Sequence, residues 1–124
     1  MTTHVLLLIL TSVSLTSFAQ IVLKAGMSDT TVLNALDAGM GWPAVWSIAT
    51  QPLVVGGLLL YFGAAFVWLL VLARVQVSLA YPFVGLGFIL TMLLGWAIHG
   101  DSLSVARVAG TLIISLGVAI LARS

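Results

Sequence analysis

Four stretches of this chain, 4–24, 53–73, 78–98 and 104–122, are almost wholly apolar. Each is long enough to cross a hydrocarbon core of about 30 Å as a helix. All four Lys and Arg residues and all three Asp and Glu residues stand at or beyond the ends of these stretches. With 62% hydrophobic and 6% charged residues in 124 positions, an ordinary soluble domain is excluded. The pattern predicts an all-α membrane protein, one domain over 1–124 with four transmembrane helices and an interfacial loop at 25–52. No length is left for a soluble catalytic domain, and without cysteine neither disulfides nor thiolate metal sites arise. Ser17-Phe18-Ala19 has the small-x-small form of a leader-cleavage site, but no Lys or Arg precedes the apolar run, so 4–24 is read as a span.

The first span differs from the others in carrying a row of polar side chains, Ser12, Thr16, Gln20 and Lys24, one at every fourth position. On a helix each such step turns only about 40°, so the row stays on one drifting stripe. Polar groups in a membrane are costly unless they face other helices or a wet cavity. The stripe is therefore read as the wall of a translocation path for a molecule whose anionic end sits near Lys24. A plainer reading stands beside it, in which Ser and Thr bond back to their own turn, Gln joins helices and Lys reaches headgroups.

Beyond Lys24, Gly26 offers a left-handed stop. Asp29 or Thr30 suits the cap of a short helix through Ala38, and Trp42 and Trp46 suit the membrane interface. Only Val75-Gln76-Val77 separates the second and third spans, which makes them an antiparallel hairpin. Ser78 is a plausible cap of the third, and Pro82, Gly85 and Gly87 should loosen its opening turns. His99 reads as a solvated boundary residue, and Ser102 or Ser104 as a cap for the fourth span, with Asp101 beside its positive end. Ala106, Gly110 and Gly117 form a small-residue face suited equally to self-association and to packing within the chain. Four spans place Arg74 and Arg123 on one side and Lys24 and Arg107 on the other, so the positive-inside rule gives almost no preference.

Several of these motifs occur together in one known group. Gln20-x-x-x-Lys24, Ser78-Leu79-Ala80-Tyr81-Pro82, Gly100-Asp101-x-Leu103-Ser104 and the Gly110 to Gly117 run resemble the drug/metabolite transporter superfamily. The resemblance implies a small multidrug resistance-like bundle. Within that superfamily the small exporters carry a membrane-embedded glutamate in the first helix, whose place here is Thr16, and an aromatic where this chain has Val84. No Asp or Glu lies inside any expected span, so exchange of protons for a cationic drug lacks its carboxylate. By contrast, Trp68 to Leu72 and Val75 to Pro82 look very like the paired small subunits of the undecaprenyl-phosphate-aminoarabinose flippase, whose glutamate before the fourth helix is matched by Asp101.

The resemblance implies a transporter of the bacterial inner membrane rather than an enzyme. Its substrate would be a polyprenyl phosphate-linked sugar, moved by a homodimer or by a heterodimer with a similar small subunit, amid membrane lipids. Lys24 would attract the phosphate, Ser12, Thr16 and Gln20 would meet sugar hydroxyls, Tyr81 would add a hydroxyl, and Arg74 is a weaker phosphate contact. A small-molecule or cation exporter and a non-transporting structural subunit are the alternatives. No nucleophile–base constellation, metal cluster, phosphate-cradling loop, cofactor motif or nucleic-acid motif is present.

Overall fold

The computed structural model describes residues 3–123, including every side chain among them except those of Tyr81 and Ala122. Among the described residues the chain is helical, with no strand. The first helix, α1 (Thr3–Met27), does not stop at Gly26 as expected; positive φ among the described residues occurs only at Gly39 and Gly100. The reason lies across the interface. Gly26 is buried where α1 meets the start of the fourth helix, and a Cβ there would come within 2.8 Å of the Val54 backbone nitrogen. This glycine provides close approach instead of a turn.

The stretch expected as an interfacial loop holds two short helices, α2 (Thr30–Asp37) and α3 (Trp42–Thr50). Asp29 caps α2 by accepting from the Thr31 N–H at 3.1 Å, while Pro43 stands in the first turn of α3. Trp42 and Trp46 lie with ring centroids 6.4 Å apart, both exposed, as suits residues at headgroup level. The Gln51 side chain then caps α4 (Pro52–Leu72) by accepting from the Leu53 N–H.

After a turn at 73–76, the third span is interrupted, as Pro82 and the glycines led one to expect. It consists of α5 (Val77–Ala80), a 3-10 turn (Tyr81–Phe83) and α6 (Val84–His99). Ser78 does not cap it: α5 starts one residue earlier, and the Gln76 carbonyl accepts from the N–H groups of Leu79 and Ala80. Gly100, with φ 69°, ends α6 in the left-handed conformation. The last helix, α7 (Val105–Arg123), is capped by Ser104, whose Oγ accepts from the Arg107 N–H at 3.1 Å.

Three segments, Thr3–Met27, Pro52–Leu72 and Val77–His99, are long and apolar enough to cross a membrane, which makes this a multi-pass membrane protein. The fourth expected span corresponds to a shorter apolar helix, Val105–Leu121. α1 lies between α4 and α6, and α7 leans on α6. The core gathers at one end of the bundle, where Val5, Ile9 and Val13 of α1 meet Val71, Ala80, Phe83 and Val118. Toward the other end, where α1 finishes and α7 begins, α1 stays close to α4 at Gly26 and Gly57, and α7 packs on α6.

Candidate substrate cavity

A cavity of about 820 Å³ lies between α1, α4, α6 and α7. Such a volume is in the range of sites that enclose a small organic molecule. Its α1 wall is the polar stripe: Ser12, Thr16 and Gln20 all line it, joined by Ser17. Facing them are Tyr61 and Trp68 of α4, and Phe88 and Thr91 of α6. Asp101 and Arg107 supply the charged groups of the lining.

The hydroxyls are already engaged as donors. Ser12 donates to the Ala64 carbonyl of α4 at 2.8 Å, and Ser17 to the Gly87 carbonyl of α6 at 3.1 Å. Thr16 donates to the Ser12 carbonyl one turn back, at 2.9 Å. A hydroxyl has one hydrogen and two lone pairs, so what these side chains have left is acceptor capacity; Thr16 is half-buried, while Ser12 and Ser17 are 3% and 1% exposed. Donors come from the amide of Gln20 and from Arg107. The Arg107 guanidinium is steadied by Nη1, which donates to the Ser102 carbonyl at 2.7 Å and to the Ser102 Oγ at 3.2 Å. Both bonds use the same nitrogen and leave Nη2 and Nε outside them. Asp101 lies over Gly95, where a Cβ would come within 2.5 Å of its Oδ2.

Of the residues singled out from the sequence, Ser12, Thr16 and Gln20 are thus brought together. Lys24 continues the stripe but is exposed and does not line the cavity. Arg74 is exposed in the turn after α4, at the end opposite Arg107, and the Tyr81 side chain lies outside the described residues. Sequence reasoning missed Ser17, Asp101 and Arg107 as lining residues. Ser17 sits one position off the four-residue row, and the other two reach the cavity only because α7 starts beside α6. His99, expected to be solvated, is half-buried, with Nε2 3.1 Å from the Ile21 carbonyl; this contact joins the end of α6 to α1.

The cavity belongs to a chain with recognisable relatives. It is 35% identical over 85 residues to a protein of Salmonella enteritidis PT4 named as a probable 4-amino-4-deoxy-L-arabinose-phosphoundecaprenol flippase subunit ArnE, a match spanning 59% of this chain and 77% of that one. This chain belongs to the ArnE family. ArnE proteins of the same name from Pseudomonas aeruginosa LESB58 and Pseudomonas paraeruginosa PA7 are 42% identical over 57 residues and 41% over 56. Those matches cover 46% and 45% of this chain, and the chain spans about half the length of these Pseudomonas ArnE relatives (50% and 49%). No protein-family model and no solved structure matches the chain.

Proposed function

We propose that this chain is one subunit of a flippase that carries a polyprenyl (undecaprenyl) phosphate-linked sugar across the bacterial inner membrane. It would act as a four-helix transmembrane domain with α7 as the fourth span, paired with a second copy or with a similar small subunit. The supporting observation is the cavity wall of Ser12, Thr16, Ser17 and Gln20, placed where α1 would otherwise be sealed by apolar neighbours.

The physical demand on such a carrier is narrow. The lipid tail remains in hydrocarbon throughout, so only the sugar and phosphate need shelter. Removing hydroxyls from water without partners costs roughly 2 kcal/mol or more each, and an isolated charge far more. Acceptors on Ser12, Thr16 and Ser17 and the Gln20 amide replace the water around sugar hydroxyls. Lys24, exposed where the stripe meets the membrane surface, attracts the phosphate as it arrives, and Arg107 offers a planar guanidinium inside the wall. Arg74, at the opposite surface, is a phosphate contact for the other end of the passage, and Tyr81 adds a hydroxyl from the interrupted third span. An amino group on the sugar, as in the name of the relatives' substrate, would find a carboxylate in Asp101. No Asp or Glu lies within the apolar spans, and the carboxylate of the lining, Asp101, stands in the turn before α7.

Reconstitution tests this. Labelled lipid-linked sugar should cross proteoliposomes containing the protein, alone or with its partner subunit. Lys24→Ala should abolish crossing while the protein still inserts; normal crossing by that variant removes the phosphate role of Lys24. Uptake of organic cations in place of the lipid would mark an exporter using Tyr61, Trp68 and Phe88 as a cation-binding box. Failure of both, even with a partner, would leave a structural subunit.

A further inference from the structure

Beside the polar cavity runs a second, smaller opening of about 330 Å³ between α6 and α7. Its walls carry no charged residue, and it shares Val84, Phe88 and Ile114 with the cavity, so the two spaces adjoin with these three side chains at their boundary. Its width is set by two glycines of opposite character. At Gly85 the helices nearly touch, since a Cβ there would lie 2.5 Å from the Ile114 side chain; at Gly117 a Cβ would meet nothing within 4 Å. The helices touch at Gly85 and Ile114, and Gly117 borders free space while its neighbour Val118 packs into the core.

We propose that this slot is the lateral exit through which the hydrocarbon tail of the bound lipid passes from the cavity into the bilayer. The inference rests on the flippase reading above. A head group at the α1 stripe is covalently joined to a chain that must lie in hydrocarbon, so an apolar passage has to connect the two. The α6–α7 slot is apolar, lies against the cavity at Val84, Phe88 and Ile114 and leads past Gly117, on a helix whose outer residues Ile113, Leu116 and Ile120 are exposed. A tail in this slot exchanges one hydrocarbon surrounding for another, so the slot adds little affinity. Its role is steric. Closing it should exclude tailed lipids and spare the head group alone.

The experiment uses the full chain in nanodiscs and two probes with the same sugar-phosphate head, one on a polyprenyl chain and one without a tail. Gly117→Trp fills the slot from a position with free space around it. Gly63→Trp on α4, where a Cβ also meets nothing within 4 Å, is the control, since Gly63 lines neither opening. Gly117→Trp should weaken binding of the tailed probe by at least about tenfold and leave the tail-less probe unchanged, with Gly63→Trp altering neither. A polyprenyl probe with a photoreactive tail should label Pro82, Gly117 and Val118, which line the slot and not the cavity, in the wild-type chain, and a photoreactive phospholipid should not. Equal loss of both probes in Gly117→Trp, unchanged binding of the tailed probe, labelling elsewhere, or equal labelling by the phospholipid would each overturn the slot. Slot labelling without crossing in vesicles would sink the flippase reading and keep the tail site. Crossing with labelling elsewhere would do the reverse.

Discussion

The first and last helices of this protein face the same solvent and are held in opposite ways. α1 is enclosed by α4 and α6 and buries Val5, Ile9, Val13, Ala19 and Ile21 along with two serines, whereas α7 buries Val118 and exposes Leu112, Ile113, Leu116 and Ile120. Their hydroxyls differ in the same sense. Ser12 and Ser17 bond across to backbone carbonyls of other helices, while Thr111 and Ser115 bond back to Arg107 and Thr111 within α7, and the contact across to α6 is that of the Thr111 hydroxyl with the Met92 sulfur at 3.4 Å. In a bilayer, contact with lipid tails is nearly as favourable as contact with protein, so helix association depends on packing and interhelical hydrogen bonds. α1 has both and forms the fixed wall of the cavity. α7 has little of either, and the cavity and the slot both lie along it.

The largest expected effect separates the two helices through a single residue type. Ile9 is 0% exposed and Ile113 is 70% exposed. Ile9→Ala leaves a void among packed side chains and should cost about 2 to 3 kcal/mol. Ile113→Ala trades one lipid contact for another and should stay within about 0.5 kcal/mol. Reversible unfolding in SDS, followed by tryptophan fluorescence, measures both; equal losses would mean that α7 is packed as tightly as α1.

A smaller effect tests close approach. Gly26→Ala pushes a methyl group toward the Val54 backbone nitrogen at 2.8 Å, which cannot swing aside as a side chain does. The expected loss is about 1 to 2 kcal/mol in the same titration. Gly110→Ala, on the open face of α7, has no neighbour within 4 Å and should be neutral or slightly stabilising, because alanine favours the helix by about 1 kcal/mol over glycine. Destabilisation at Gly110 would show that the small-residue face is covered, as self-association through α7 requires.

The same contrast explains what could be read from the residues alone. The row Ser12, Thr16, Gln20 marks a cavity wall because its periodicity is fixed by α1 itself. Likewise, Asp29 as a cap and Pro82 as an interruption are local effects, written in a few neighbouring positions. Gly26 was misread because its neighbour Val54 lies far along the chain, and close packing and a turn ask for the same residue. Asp101 read as a charge beside the start of the last helix, and Arg107 as a topology marker. Their place in the cavity depends on how α7 meets α6, which no local period records. One signal was available: Arg107 stands in the first turn of a mainly apolar helix, shortly after the Ser102 and Ser104 that bond to it.

The smallest effect is the sharpest test of the cavity wall. Ser17 is 1% exposed and donates to the Gly87 carbonyl, at a crossing so tight that a Cβ on Gly87 would lie 3.0 Å from Val13. That carbonyl also lies within α6, so Ser17→Ala removes a supplementary bond without leaving a bare acceptor. The expected loss is about 0.6 kcal/mol, the usual worth of a hydrogen bond between membrane helices. Ser115→Ala, which removes only a bond within α7, should register nothing beyond error in the same SDS titration. If Ser17→Ala is equally silent, the bond does not hold α1 against α6. The serine would then belong with Thr16 among the groups whose value is the lone pair they turn toward the cavity, and a measurement of lipid-linked sugar binding, unlike one of stability, would register its loss.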